Sequence, residues 1–123
     1  MQKIKMGKNS KIVADHIDIH PSVKIGKNVN IKCDTIKLGE FCIIGDNVTI
    51  ECRSFEVDSW LFMWHGVEIG RGGCSSPNSN VKIGKGVGIF ENTVINPSES
   101  VEIGDNCGIG ADVMMWTHGA WLD

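Results

Sequence analysis

Large aliphatic residues recur along this chain in steps of six. Ile25, Ile44, Ile69, Ile83, Ile103 and Ile109 are each followed by Gly, and Leu38-Gly39 is a close copy. Four copies continue alike: Ile25-Gly-Lys-Asn-Val29, Ile44-Gly-Asp-Asn-Val48, Ile83-Gly-Lys-Gly-Val87 and Ile103-Gly-Asp-Asn-Cys107. The unit is a hexad with a large aliphatic residue first and a small apolar residue fifth. Alternating runs lead into the coils, as in Ile17-Asp-Ile19, Ile36-Lys-Leu38, Val81-Lys-Ile83 and Val101-Glu-Ile103. Such alternation predicts short strands with one buried side. Gly at the second position and Asn or Asp at the fourth predict the corner between strands. A six-residue unit buries no core alone, so successive copies stack.

Laid out as coils, the first face starts at Ile19, Leu38, Val57, Ile83 and Ile103. The second starts at Ile25, Ile44, Met63, Ile89 and Ile109, and the third at Ile31, Ile50, Ile69, Ile95 and Met115. The step between coils is 19, 19, 26 and 20 residues, and Met6 and Ile12 carry a partial coil ahead of these. Fifth positions form two further stacks: Val23, Cys42, Leu61, Val87 and Cys107, then Val29, Val48, Val67, Thr93 and Val113. Cys42 and Cys107 therefore read as small core residues. The expected architecture is an all-β, three-sided parallel β-solenoid of about five coils, with little or no helix. Residues 1–123 form a single domain, and neighbouring strands lie about 4.8 Å apart.

One interval breaks the count. Between Ile69 and Val81 the chain reads Gly-Arg-Gly-Gly-Cys-Ser-Ser-Pro-Asn-Ser-Asn, which explains the 26-residue step as a protruding loop at 70–80. Solenoids often carry function on such insertions, and a simple corner elaboration is the competing reading.

Composition narrows the function. At a formal charge of −3 with Lys and Arg scattered singly, no basic stripe exists for nucleic acid or an anionic membrane. No apolar run approaches membrane-spanning length, and the N-terminus lacks the pattern of a secretory signal. Five cysteines, an odd number, then fit reduced thiols in the cytoplasm. No Cys-x-x-Cys pair exists, so no metal is expected. Cys33 and Cys52 are 19 apart at equivalent places and should be stacked neighbours, either as two thiols or as a disulfide.

The hexads resemble those of the hexapeptide-repeat acyltransferases over nearly the whole chain, from about Met6 to Leu122. That resemblance implies a left-handed β-helix and a homotrimer with active sites in the clefts between subunits. The run Val101-Glu-Ile-Gly-Asp-Asn-Cys-Gly-Ile-Gly-Ala-Asp-Val-Met-Met-Trp-Thr-His118 is similar to the sugar and serine acetyltransferase segment that ends in the catalytic histidine. Carried over, the resemblance makes His118 the general base and acetyl-CoA the acyl donor. It matches the family's site-closing loop to Gly70–Asn80, which includes Asn78. Acetyl transfer needs an acceptor hydroxyl or amine to lose its proton as it attacks the thioester. An imidazole near neutral pH suits that task, worth ~10²–10⁴ in rate. Backbone N–H donors at a corner can steady the oxyanion.

Other candidates are weaker. His65, beside the loop-bearing coil, could line the cleft or stand as a solvated surface residue. Trp64 and Trp116 occupy second positions and should point outward, either to stack on a sugar or to form a subunit interface. Together with Asn78 these three are the candidate substrate-binding residues.

Enzymes of this kind continue for several coils past the histidine, whereas this sequence ends at Asp123. The expectation is therefore a CoA-dependent O- or N-acyltransferase that moves an acetyl group to a carbohydrate-like acceptor, or the acceptor-side part of one. The alternative is a non-catalytic trimerisation or binding module without a coenzyme A site. A γ-type carbonic anhydrase is a third class, but His16, His20, His65 and His118 do not match its paired zinc ligands.

Overall fold

The structure, a computed structural model, describes residues 4–70 and 78–117. All regular structure among them is β-strand. Strands His16–Ile19, Thr35–Leu38, Ser54–Val57, Asn80–Ile83 and Val101–Ile103 form the first face. Lys5–Met6, Lys24–Ile25, Ile43–Ile44, Phe62–Met63, Gly88–Ile89 and Gly108–Ile109 form the second. Lys11–Val13, Asn30–Lys32, Thr49–Glu51, Glu68–Ile69, Val94–Asn96 and Met114–Trp116 form the third. Every pairing is parallel, and the chain visits the three sheets in rotation. This is a three-sided parallel β-solenoid of about six turns, counting the partial first coil.

The register is the one the hexads predict. Ile19, Leu38, Val57, Ile83 and Ile103 pair in sequence on the first face. Met6, Ile25, Ile44, Met63, Ile89 and Ile109 do so on the second. Ile12, Ile31, Ile50, Ile69, Ile95 and Met115 complete the third. Apart from the exposed Met6, these columns fill the prism together with the fifth-position Val23, Val29, Cys42, Val48, Leu61, Val67 and Val87. Each buried aliphatic side chain contributes about 1.5–3 kcal/mol, which is how many two- and three-residue strands hold as one body.

Corners are closed by polar columns. Asn9, Asn28 and Asn47 all have positive φ at equivalent fourth positions. Their side-chain amides form a ladder, with Asn28 Nδ2 donating to Asn47 Oδ1 at 3.2 Å and Asn9 Nδ2 to Asn28 Oδ1 at 3.4 Å. Thr93 is buried in a fifth position otherwise filled by Val, and its hydroxyl donates to the Gly110 carbonyl at 2.7 Å. The buried hydroxyl is thereby satisfied.

Two expectations need correction. Cys42 is fully buried, but Cys107 is exposed. Cys107 occupies the same fifth position, yet no coil among the described residues lies over it. The loop also ends earlier than 80, because Asn80 already pairs with Ser54 in the first-face sheet. That pairing fixes the 26-residue offset, while residues 71–77 lie outside those described. Cys33 and Cys52 are stacked, buried and unbridged, with Sγ atoms 3.7 Å apart.

Candidate functional site

The expected site residues fall at two different corners. Trp64 and His65 stand between the second and third faces, directly after strand Phe62–Met63. Their rings lie 3.9 Å apart between centroids, and Trp64 stacks on Phe62 at 4.9 Å. His65 Nδ1 accepts the Asp46 backbone N–H at 2.8 Å. Asp46 does the same one coil earlier, its Oδ1 accepting the Lys27 N–H at 2.9 Å. Asp105 Oδ1 repeats the arrangement with the Lys85 N–H at 2.7 Å. His65 thus takes the part of a corner aspartate. With Nδ1 accepting, the ring's N–H is on Nε2. The Asp46 carboxylate lies 3.8 Å from Nδ1.

Asn78 and Trp116 stand at the corner between the third and first faces. The Asn78 carbonyl accepts from Asn80 N and from Ser100 Oγ, both at 2.8 Å. Trp116 pairs with Asn96 at the end of strand Met114–Trp116 and is exposed. The next residue, Thr117, is held firmly. Its N–H and hydroxyl both donate to the Asn96 carbonyl, at 3.2 and 2.8 Å, and its oxygen accepts the Glu99 N–H at 2.9 Å. The buried Asn96 side chain in turn accepts from Ser98 N and Oγ. His118 itself lies outside the described residues. Within one chain, therefore, Asn78 and Trp116 share a corner, and Trp64 and His65 occupy another, with the third face between them.

A larger feature spans the second face. Its outward positions form a grid across three coils: Phe41 and Ile43, then Trp60, Phe62 and Trp64, then Phe90. Phe41 and Trp60 are in contact at 4.7 Å, and Phe62 and Phe90 at 5.8 Å. Phe41, Ile43, Trp60 and Phe90 are exposed. Ser22, Lys24, Phe41, Ile43, Trp60, Leu61 and Phe62 line a shallow cavity of about 250 Å³ here. Phe41 and Trp60 have φ of 56° and 62°, a region that bulky side chains seldom enter. Both fill the fourth position that Asn106 and Gly86 fill on later coils. Reading the tryptophans singly misses this platform. Aligning fourth, sixth and second positions of consecutive hexads would have revealed it.

The first face is different again. Asp18, Lys37, Glu56, Lys82 and Glu102 stand in one outward, register-paired column of alternating charge. A groove of about 420 Å³ runs along it from Lys37 to Asp105. Among the described residues no three His, Cys, Asp or Glu side chains converge as a metal site. No described helix is long and apolar enough to cross a membrane. The class defined by this geometry is a three-sided parallel β-solenoid with one aromatic face and one charge-laddered face. Comparison with known protein families, curated proteins and solved structures finds no match.

Proposed function

We propose that this chain is a CoA-dependent acyltransferase, moving an acetyl group to a hydroxyl or amine of a carbohydrate-like acceptor. The observation that carries the reading is the last described coil. The segment 101–117 that resembles the acetyltransferase run is built in full register with the coil before it. Thr117, which immediately precedes His118, is tied by three hydrogen bonds to Asn96 and Glu99. A well-anchored strand end is what a base needs, because misplacement by about 1 Å can cost 10²-fold in rate.

In this reading His118 takes the proton from the acceptor as it attacks the acetyl thioester. Acetyl-CoA supplies the activated acyl group as a second substrate. The described first face offers its diphosphate no net positive charge, since Lys37 and Lys82 alternate with acids. The reading includes a homotrimer in the cytoplasm, in which a neighbouring subunit completes the cleft.

The aromatic second face favours a second reading, a non-catalytic module that associates or binds through that surface. An exposed cluster of Phe41, Trp60 and Phe90 serves contact rather than chemistry. Sedimentation combined with acetyl-CoA calorimetry separates the two. The enzyme reading expects saturable binding of acetyl-CoA by the associated protein. An associated species that takes up no heat with acetyl-CoA at millimolar concentration overturns it in favour of the module.

A further inference from the structure

We propose that Cys33 and Cys52 form a redox-active dithiol that closes to a disulfide and staples two consecutive coils together. The pairing follows from register. Strands Asn30–Lys32 and Thr49–Glu51 pair residue for residue, and each cysteine comes directly after its strand. The two Sγ atoms are 3.7 Å apart, and the residues are 6% and 5% exposed. Neighbouring strands lie about 4.8 Å apart, inside the Cα separation of roughly 4.4–6.8 Å that disulfides span. Side-chain rotation with a small shift of the corner brings the sulfurs to about 2.05 Å.

Their environment singles them out among the described thiols. The Cys33 thiol is held below the usual range, chiefly because the Cys52 thiol hydrogen-bonds to it; burial and the Asp34 and Glu51 charges oppose this. Burial pushes the Cys42 thiol up, and that residue sits in a column with Val23 and Leu61. Cys107 is exposed and belongs to the same column as Cys42, on a different corner from the pair. The thiolate is the nucleophile in exchange, and with the two sulfurs 3.7 Å apart Cys52 is placed to resolve once Cys33 has attacked.

The reaction takes a small organic disulfide such as oxidised glutathione as its oxidant. The Cys33 thiolate attacks one sulfur, the small molecule's S–S bond breaks, and one thiol leaves with a proton. Cys52 then gives up its proton and attacks the Cys33 sulfur of the mixed disulfide, expelling the second thiol. Two protein thiols are oxidised and one small disulfide is reduced to two thiols. The new bond closes a loop of one whole coil, which restricts the unfolded chain. The inference stands apart from acyl transfer and does not depend on it.

The test equilibrates the full chain in glutathione buffers of graded composition, quenches with acid, alkylates free thiols and maps the peptides. The expected product joins the Cys33 and Cys52 peptides, two hydrogens lighter than the reduced pair. Tm should rise by about 5–10 °C, reversibly with dithiothreitol. In Cys52→Ser the joined peptide and the Tm shift should both vanish. The peptide map of the unaltered protein decides the matter even if that variant folds poorly. Cys33 and Cys52 recovered as free thiols in buffers that cap Cys107 with glutathione would overturn the proposal. So would Cys33 joined to any other cysteine.

Discussion

His65 caps the backbone N–H of Asp46 through Nδ1 at 2.8 Å, standing where the repeat elsewhere places an aspartate. His65→Ala leaves the Asp46 N–H without its partner and should cost about 1 kcal/mol, reduced from larger values by the corner's partial exposure. His65→Asp restores an oxygen acceptor of the kind Asp105 provides and should recover most of the loss. Urea unfolding of the three proteins checks this. A loss with Asp as large as with Ala would mean that the ring, tilted against Trp64, matters more than the cap.

Second positions differ sharply along one column. A Cβ on Gly39 would collide with the backbone carbonyl of Asp58 on the next coil, whereas one on Gly104 would meet nothing within 4 Å. Gly39→Ala should therefore destabilise by about 2 kcal/mol or more, because a coil must shift. Gly104→Ala should lie within about 0.5 kcal/mol of the parent. Equal Tm values for the two variants would contradict the stacking distance between coils two and three.

Trp60 sets strain against contact. Its φ of 62° carries a cost of about 1–2 kcal/mol, while its ring pair with Phe41 is worth about 0.5–1.5 kcal/mol. The two nearly offset, so Trp60→Asn should change the stability of the isolated chain by less than about 1 kcal/mol. Association should suffer far more if the aromatic face is the contact surface. Sedimentation and denaturation on the same variant separate the effects. A large stability loss with association intact would make Trp60 a structural residue only.

The charge column gives a salt-sensitive prediction. Glu56 stands between Lys37 and Lys82 on neighbouring strands. Glu56→Lys puts three lysines side by side and should cost about 0.5–1 kcal/mol at low salt. Raising ionic strength to about 1 M, where the Debye length is ~3 Å, should remove most of that cost. A loss that persists unchanged in salt would point to packing instead.

The stack was legible because a stacked column needs only one residue type at one spacing. Ile25, Ile44, Met63 and Ile89 could be aligned by counting, and they pair in that order. Cys107 was misread because the count reports which way a side chain points, not whether a coil covers it. The aromatic platform was only half visible. Trp64 and Trp116 share a hexad position but belong to different faces, while Phe41 and Phe62 looked unremarkable until set beside Trp60. The role of His65 was hidden for another reason. A hydrogen bond to the previous coil depends on corner geometry, and no spacing in the sequence encodes which ring nitrogen accepts.

Thiol release tests general-base acyl transfer at His118. Acetyl-CoA should lose free coenzyme A faster in the presence of a hydroxylated carbohydrate acceptor and this protein, and His118→Ala should lower that rate ~10²–10⁴-fold with the fold intact. Equal rates for His118→Ala and the parent, under conditions where the parent turns over, would contradict the claim.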